Sequence, residues 1–406
     1  CLVGSEMCIR DRFFAVFLFI TLFAVASEAG DRNIPVEVAQ LTDSLKKQFA
    51  PDRRVALLDV DYSFSDKNVM LRGVTTSAEA KNVLLKELAR KGYAVMDCLE
   101  LLPDVKGLEG KTCGIINVSV ANMRVAPDFS SEMMTQSLMG MPVRVLQRDG
   151  WVRIQTPDNY IAWVHRVGVH PVTEEEMAAW NKAEKIVVTA HYGFVYSEPN
   201  QTSQTVSDVV AGNRLKWEGS KGAFYKVTYP DGRRGYISKS IAMPEKKWRS
   251  GLQQDAAGII RTAHTMMGIP YLWAGTSSKG VDCSGFMRTI LFMHDIIIPR
   301  DASQQAYVGE HIDIAADFSN LQPGDLIFFG RKATPERKER VVHVGMYIGG
   351  KRFIHSQGDV HISSFDPADE LFDEYNLGRL LFATRVLPYI NKEEGLNTTE
   401  TNEYYK

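Results

Sequence analysis

One cysteine, Cys283, lies where an apolar pattern of helical spacing begins. In GVDCSGFMRTI, residues 280–290, it is followed by Phe286 and Ile290, which recur at helical spacing. A thiol on the first turn of a helix lies near free backbone N–H groups and the positive end of the helix dipole, which favour a thiolate and can donate to an oxyanion. Asp282 is expected to cap this helix, although its charge opposes thiolate formation. Cys283 is therefore a candidate nucleophile that requires a cationic partner, the alternative being a buried core thiol.

Two histidines further along the chain could supply that partner. In VVHVGMYIGG the residues alternate in polarity, so His343 is expected to point away from the apolar face of a strand. After Gly349 and Gly350, the stretch RFIHS brings His355 back on the neighbouring strand. The two rings share a face only if the connection has odd length or contains a bulge, because a plain two-residue turn would place them on opposite faces.

A helix-start cysteine, a strand histidine and a second polar residue match the nucleophile, base and orienter of thiol peptidases. In this interpretation His343 shares the proton of Cys283, forms an ion pair with it and later protonates the leaving amine. His355 then fixes the tautomer of His343. The alternative is that one or both histidines bind zinc. No Cys/His/Asp set at metal-ligand spacing surrounds them, so neither a metal nor another cofactor is expected.

The stretches around these residues resemble one known family. GIPYLWAGTSSKGVDCSGFM, PRDASQQ, LQPGDLIFF, HVGMYIGG and FIHS occur in order within residues 250–390 and resemble the NlpC/p60 family of papain-like bacterial cell-wall cysteine peptidases. The resemblance implies a papain-like α+β peptidase domain over this range. It also implies that Cys283, His343 and His355 form a catalytic triad.

Two stretches upstream share a layout of short strands separated by turn residues. Residues 113–172 and 185–244 each show a short strand, a proline-containing loop, a strand pair and a final strand with aromatic residues, which predicts two small β-barrels. They resemble bacterial SH3-like domains. Between them, TEEEMAAWNKAE, residues 173–184, is predicted to form a short helical linker. The predicted fold class is thus α+β multidomain.

The N-terminal part predicts a further domain without chemistry of its own. Residues 33–110 read as a small α+β unit of unknown role, with a hairpin around residues 65–68 and an amphipathic helix that ends near Gly92. The returning stretch YAVMDCLELL is predicted to be a strand. Histidines and clustered acids at ligand spacing are absent from this part of the sequence.

Two barrels before such a peptidase domain match a subgroup typified by γ-D-glutamyl-L-diamino acid endopeptidases of the dipeptidyl-peptidase VI type. This resemblance implies hydrolysis of the γ-D-Glu-to-diamino-acid bond in peptidoglycan stem peptides through a thioester. It also implies a set of substrate-binding residues: Tyr271, Trp273, Asp282, Ser284, Ser303, Glu132 and Tyr160. Tyr271 and Trp273 equally suit a core. An exposed loop position suits Glu132 equally well, and Tyr160 somewhat less.

In that subgroup an acid and a tyrosine of the first barrel hold the free amine of L-Ala. Glu132 and Tyr160 are the matching residues here, with Asp282 as a second counter-charge for the enclosed ammonium. The expected substrate is therefore a released peptide with a free N-terminal L-Ala. Two other functions remain open: a catalytically inactive peptidoglycan-binding module, and a papain-like acyltransferase.

Composition and the first residues bear on location and partners. Lys plus Arg total 47 against 49 Asp plus Glu, which implies no basic face and makes nucleic acid an unexpected partner. Residues 1–12, CLVGSEMCIRDR, are interpreted as a non-native artefact. Residues 13–26 are apolar, shorter than the ~20 residues of a membrane span, and end in Ala-Val-Ala. They predict a signal peptide, hence export to the periplasm or cell envelope with no stable membrane span.

Two further features remain open at this level. Cys98 and Cys113 could pair in an oxidising compartment, or both could be buried and reduced. Residues 391–406, NKEEGLNTTETNEYYK, are expected to form a polar, frayed tail. The sequence makes no prediction of oligomeric state.

Overall fold

The computed structural model describes residues 34–393 and 395–406. The segment interpreted as non-native, residues 1–12, and the signal peptide predicted for residues 13–26 lie outside the described residues. Within the described ranges, no helix is both long enough and apolar enough to cross a membrane.

The first of two compact units ends at Leu102 and is a small α+β fold. Its elements are α1 (Val36–Phe49), β1 (Leu58–Ser65), β2 (Asn68–Thr75), α2 (Ala78–Arg90) and β3 (Ala94–Leu101). In the antiparallel hairpin β1–β2, Ser65 pairs with Asn68, at the predicted turn. The helix α2 connects β2 to the parallel strand β3 and buries Leu84 and Leu88 completely in the core of this unit.

This unit is shorter than the range 33–110 expected from the sequence, because it ends at Leu102. The residues that follow belong to the next part of the chain: Leu108 is buried in the core of the first barrel, and the Asp104 N–H donates to the Leu146 carbonyl at 2.9 Å. The stretch LLPDVKGLEGK is rich in turn residues and has no apolar period, so its packing partner could not be read from its own pattern.

The second compact unit begins at Pro103 with two seven-stranded sheets. The first barrel consists of β4 (Cys113–Ile116), β5 (Val120–Arg124), β6 (Met133–Leu138), β7 (Pro142–Asp149), β8 (Trp151–Gln155), β9 (Ile161–His165) and β10 (Val169–Val172). The second barrel consists of β11 (Lys185–Val188), β12 (Tyr192–Tyr196), β13 (Thr205–Val210), β14 (Arg214–Lys221), β15 (Phe224–Thr228), β16 (Arg234–Ser238) and β17 (Ala242–Pro244).

The two barrels have one topology. Their strand orders are β10-β4-β7-β8-β9-β5-β6 and β17-β11-β14-β15-β16-β12-β13, which are identical when strands are counted from the start of each barrel. The predicted linker is a helix, α3 (Glu174–Lys182), and a capping box begins it: Thr173 accepts from the Glu176 N–H while the Glu176 side chain accepts from the Thr173 N–H. The shared layout seen in the sequence is thus a structural repeat.

The remaining elements build the peptidase domain. They are α4 (Glu245–Ser250), α5 (Ala256–His264), β18 (Thr276–Ser277), β19 (Gly280–Val281), α6 (Cys283–Phe292), α7 (Ala302–Gln305), β20 (Glu310–Ile312), β21 (Leu326–Arg331), β22 (Arg340–Gly349), β23 (Arg352–Gln357), β24 (Asp359–Ser364), α8 (Glu374–Gly378) and β25 (Leu380–Arg385). A six-stranded sheet has the order β20-β25-β21-β22-β23-β24.

Both faces of this sheet are buried. Phe286 of α6 and Val344 of β22 belong to one apolar cluster, and a second cluster contains Phe329 and Phe353. The sequence predicted that His343 points away from the apolar face of β22. The structure confirms that His343 lies opposite Val344 and Met346, and shows in addition that its own face is packed with aromatic rings, Phe329 lying 5.5 Å from His343 between ring centroids.

The C-terminal segment, residues 391–406, does not fray as the sequence predicted. Leu396 is fully buried in the core of the peptidase domain, and the Thr399 hydroxyl donates to Asp295 at 2.7 Å. Further on, Glu403 accepts from Arg144 of the first barrel at 2.9 Å. Polar composition misled here because the threonines and acids of this segment find their partners far away in the chain.

Replacing Leu396 with alanine should therefore destabilise the protein by about 2–5 kcal/mol, the usual cost of emptying a buried leucine site. Lys392→Ala, at an exposed position of the same segment, should change stability by no more than about 0.5 kcal/mol. Urea unfolding followed by tryptophan fluorescence measures both. A Leu396→Ala midpoint equal to that of wild type would show that the segment does not dock.

Candidate active site

The helix α6 begins as the sequence predicted, because Asp282 caps it. One carboxylate oxygen, Oδ1, accepts from the Gly285 N–H at 2.6 Å, and Oδ2 accepts from the Ala274 N–H at 3.0 Å. Gly285 is required for this close packing, since a Cβ there would lie 1.9 Å from the Gly275 carbonyl oxygen. Cys283 is thereby fixed on the first turn of the helix.

A buried arginine that the sequence reasoning missed holds the same carboxylate. The Arg300 side chain is 1% exposed, and its two terminal nitrogens donate to both oxygens of Asp282, at 3.2 and 2.6 Å. Arg300 also donates to the Ser284 hydroxyl at 2.9 Å and to the Thr135 hydroxyl of the first barrel at 3.0 Å. Burial alone would lower the pKa of Arg300, but Asp282 raises it above its usual value.

The thiol of Cys283 lies where the hydrogen-bonded pairing of β22 with β23 ends. The paired residues nearest this end are Gly345 and His355. Beyond that pair, the Val344 N–H faces the Cys283 sulfur and opposes the rise in its pKa that burial causes, while the Ser356 hydroxyl donates to the carbonyl of Val281 at 3.1 Å. The start of α6 thus packs against both strands where their pairing ends.

His343 and His355 share a face because the hairpin contains a bulge. Tyr347 pairs with Phe353 and Gly349 with Arg352, so the residue between Tyr347 and Gly349 is an extra one on β22. The sequence required an odd connection or a bulge, and the bulge is what the structure has. His343 Nε2 lies 2.8 Å from His355 Nδ1, and we call these two residues the histidine pair.

Burial sets the ionisation of the site. It raises the pKa of Cys283 to about 11, with Asp282 adding to the rise, and lowers the pKa of His343 to about 3. The pKa of His355 falls to about 2 through burial and the neighbouring His343. All three directions favour a neutral thiol beside neutral imidazoles. They oppose the ion pair expected from the sequence, because removing these groups from water favours their uncharged forms.

The first barrel supplies one wall of the site. Trp273 Nε1 donates to Glu132 at 3.0 Å, and the Tyr160 hydroxyl donates to Asp301 at 3.1 Å. The Thr276 N–H donates to the Gln136 side chain at 2.9 Å. Trp273 is 62% exposed and Glu132 is exposed, so this pair stays open to solvent, whereas Tyr160 is buried. We call Trp273 and Glu132 the entrance pair.

The remaining predicted binding residues, Ser284, Tyr271 and Ser303, differ in burial and in the contacts that they make. Ser284 is buried and donates to Asp282 at 3.2 Å. Tyr271 is half-buried, and its pKa rises above its usual value through burial and through the nearby charges of Cys283 and Asp282, which keeps its hydroxyl protonated. Ser303 lies half-buried in α7, three residues after Arg300.

Other residues of the site escaped the sequence reasoning. Gln305 is fully buried and donates to the Ser284 and Pro299 carbonyls at 3.1 and 2.9 Å, which buttresses the start of α6. The signal for Arg300 was its position directly after the apolar run IIIP, where a charged residue needs a buried partner. Among the described residues, no cluster of three or more His, Cys, Asp or Glu side chains could hold a metal ion.

The thiols differ in exposure. Cys98, Cys113 and Cys283 are all free, so the disulfide considered for the first two is not formed. Cys98 is exposed and Cys113 is half-buried, so the alternative of two buried thiols is also wrong for Cys98.

A cysteine at a helix start beside a histidine pair on an adjoining sheet defines a papain-like cysteine peptidase. The NlpC/P60 family model matches residues 268–378, a bacterial dipeptidyl-peptidase SH3 domain model matches residues 123–167, and a bacterial SH3 domain model matches residues 191–241. The chain belongs to the NlpC/P60 family and is a cysteine-type hydrolase.

Curated relatives and a solved structure extend this similarity. The chain is 33% identical over 236 residues to a γ-D-glutamyl-L-lysine dipeptidyl-peptidase of Bacillus cereus, covering 56% of this chain and 68% of the relative. It is 25% identical over 271 residues to dipeptidyl-peptidase 6 of Lysinibacillus sphaericus, covering 64% of this chain and 93% of the relative. The crystal structure of an NlpC/P60 family protein from Bacillus cereus superposes with a TM-score of 0.58 at 26% identity, over 68% of this chain and all of that one.

The raised pKa of Cys283 can be measured by alkylation. In a Cys98→Ser, Cys113→Ser background, the rate of reaction with iodoacetamide should still be rising between about pH 6 and pH 10, because the thiolate forms only as pH approaches a raised pKa. The same background with Cys283→Ala gives the baseline. A rate that is already constant from pH 6 upward would mean that the ion pair exists.

The Asp282–Arg300 pair predicts a non-additive double mutant. Arg300→Met leaves the Asp282 carboxylate buried and unpaired and should cost about 3–5 kcal/mol of stability. Adding Asp282→Asn should recover part of that loss, since the remaining group is then uncharged. Thermal unfolding of the single and double variants gives the coupling, and additive losses would contradict the pairing.

Proposed function

We propose that this protein hydrolyses the γ-D-glutamyl-L-diamino acid bond of peptidoglycan stem peptides that carry a free N-terminal L-Ala. The entrance pair carries this proposal: an exposed carboxylate of the first barrel, Glu132, stands beside Trp273 on the peptidase domain. An amine that reaches the site can there exchange water for a charge-assisted hydrogen bond. The names of the curated relatives, and the match of the first barrel to a bacterial dipeptidyl-peptidase SH3 domain model, support the same substrate class.

Cys283 acts as the nucleophile in this proposal. His343 Nε2 is engaged by His355, so Nδ1 is the nitrogen that takes the thiol proton as the sulfur attacks the γ-carbonyl carbon of D-Glu. His343 then gives the proton to the leaving amine, and the acyl group remains on sulfur as a thioester. A water, deprotonated by His343, hydrolyses the thioester and restores the thiol.

Neutral partners suit this sequence of steps. Because burial favours the uncharged thiol and imidazole, proton transfer accompanies attack instead of preceding it. Tyr271 keeps its proton and lies near Cys283, so its hydroxyl can donate to the oxyanion that develops on the carbonyl. Asp282 is already bonded to Arg300 and serves to place the helix, which leaves Glu132 as the counter-charge for the amine.

Peptidoglycan lies outside the cytoplasm, and the apolar residues 13–26 predict export. We therefore propose that the protein acts in the periplasm or cell envelope on released stem peptides. The two alternatives, an inactive binding module and an acyltransferase, are separated from hydrolysis by the product. Mass spectrometry of L-Ala-γ-D-Glu-L-Lys and its diaminopimelate counterpart should show release of L-Ala-D-Glu by wild type and none by Cys283→Ala.

The role of Glu132 predicts a loss of activity that is selective for substrates with a free amine. Glu132→Gln removes the counter-charge and should lower kcat/KM for the free-amine tripeptide on the order of tenfold, while hardly changing the slower cleavage of the N-acetylated tripeptide. Glu198→Gln is the matched control, since Glu198 is an exposed glutamate in the equivalent loop of the second barrel. Equal rates of wild type on the free and acetylated peptides would refute amine recognition.

A further inference from the structure

A chain of hydrogen bonds leads from the histidine pair away from Cys283. His355 Nε2 lies 3.1 Å from the hydroxyl oxygen of Ser363 on β24. Asp373 lies beside Ser363, since its N–H donates to the Ser364 carbonyl at 2.9 Å, and the Ser363 hydroxyl helps to lower the pKa of the Asp373 carboxyl. His355 is fully buried and Ser363 is 5% exposed. The chain therefore runs through dry protein, where each polar atom must use the partner it has.

Asp373 is an anchored carboxylate. It caps α8, with Oδ1 accepting from the Asn376 N–H at 2.9 Å and Oδ2 accepting from the Asn376 side-chain amide. Arg379 donates to the amide oxygen of Asn376 at 2.9 and 2.7 Å and so fixes the orientation of that amide. Burial alone would raise the pKa of Asp373, but these hydrogen bonds hold the pKa below its usual value, so Asp373 is an anion at neutral pH.

The anionic Asp373 at one end decides which atom donates and which accepts in each hydrogen bond between Ser363 and His343. A carboxylate can only accept, so the single hydroxyl proton of Ser363 points to Asp373, and the oxygen of Ser363 accepts from His355 Nε2–H. A neutral imidazole has one N–H, so His355 Nδ1 is an acceptor and His343 Nε2 must donate to it. His343 Nδ1 is then left without a proton.

Other groups around the histidine pair oppose the charged alternative. His361 lies with its ring centroid 4.4 Å from that of His355 and bonds through Nδ1 to Asp359 at 2.9 Å. Burial lowers the pKa of both rings, and the positive charge of Arg379 lowers it further, while the Asp373 carboxylate raises the pKa of His355 without reversing the shift. Both rings therefore stay neutral, and their tautomers are decided by hydrogen bonding alone.

We propose that Ser363 and Asp373 are positioning residues that hold His343 in the Nε2–H tautomer, with Nδ1 free to act as the base toward Cys283. Neither residue touches the reacting atoms, and both act through His355. With the anion removed, the chain can also run in the opposite direction, which places a proton on His343 Nδ1 and leaves no base for the thiol. This inference rests on the proposed role of His343, but its central observable does not depend on turnover.

The test is the tautomeric state of the two histidines, read from long-range ¹H–¹⁵N correlations at neutral pH in protein labelled with ¹⁵N-histidine. Wild type should show His343 and His355 both protonated at Nε2. Asp373→Asn should give mixed tautomers for both rings and lower kcat by at least about tenfold with little change in KM, since a wrong tautomer costs up to about 10⁴-fold in a Ser–His–Asp triad. Asparagine caps helices as well as aspartate does, so α8 is retained.

Two further variants separate positioning from folding. Ser363→Ala should behave like Asp373→Asn, and Ser363→Thr, which keeps the hydroxyl, should restore the wild-type tautomers. Asp369→Asn is the matched control, because Asp369 also precedes α8 but forms an ion pair with Arg352 and takes no part in the series of contacts from His355 to Asp373. Unchanged ¹⁵N shifts in Asp373→Asn, or Nδ1 protonation of His355 in wild type, would overturn the proposal. Absence of any stem-peptide cleavage, with the tautomer shifts as described, would instead refute the proposed function.

Discussion

The carboxylate of Asp282 accepts five hydrogen bonds: from the N–H groups of Gly285 and Ala274, from the Ser284 hydroxyl and two from Arg300. A buried anion is tolerated only when it is paired and fully hydrogen-bonded, and this one meets both conditions. Its partners belong to the helix start, the preceding loop and the segment before α7. Arg300 also donates to Thr135 of the first barrel. The Asp282 carboxylate therefore helps to fix both the position of the thiol and that of the first barrel.

Low polarity around the thiol has consequences for the chemistry. Packing around the start of α6 largely excludes water from Cys283, which is 8% exposed, and from His343, which is 5% exposed. The charged side chains lie around this buried site instead of at the thiol. They are Arg300, Arg379 and Asp373, and each forms hydrogen bonds with neighbouring side chains or backbone groups. In the proposed mechanism, such a site keeps Cys283 protonated at rest and relies on a correctly directed base at the moment of attack.

The two barrels repeat one topology but differ in what they contact. Met139 of the first barrel belongs to the core of the second, and Val210 of the second belongs to the core of the first, so the two are packed as one body. Gly140 permits this approach: it has φ +82°, and a Cβ there would lie 2.2 Å from the Arg214 carbonyl oxygen. The first barrel provides Glu132 and Thr135 to the site. The second contacts the peptidase domain through the ion pair Asp208–Lys279, outside it.

The sequence by itself determined the features that arise from neighbouring residues. The helix start at Cys283, its cap at Asp282 and the strand that carries His343 all follow from local spacing, because capping and apolar periodicity act over three or four residues. The barrels and the first α+β unit were also predictable, since turn residues and alternation repeat along the chain. Whether His343 and His355 lie on the same face of the sheet could not be predicted, because it depends on the bulge between Tyr347 and Gly349.

Only the tertiary structure decided the partners and the charges. Arg300 meets Asp282 across 18 residues and Thr135 across 165, and no local pattern encodes such separations. The C-terminal segment looked frayed for the same reason, since the partners that order it, such as Asp295 for Thr399, lie far away in the chain. The protonation state of Cys283 likewise follows from how completely packing removes water, a quantity that exists only once the fold has formed.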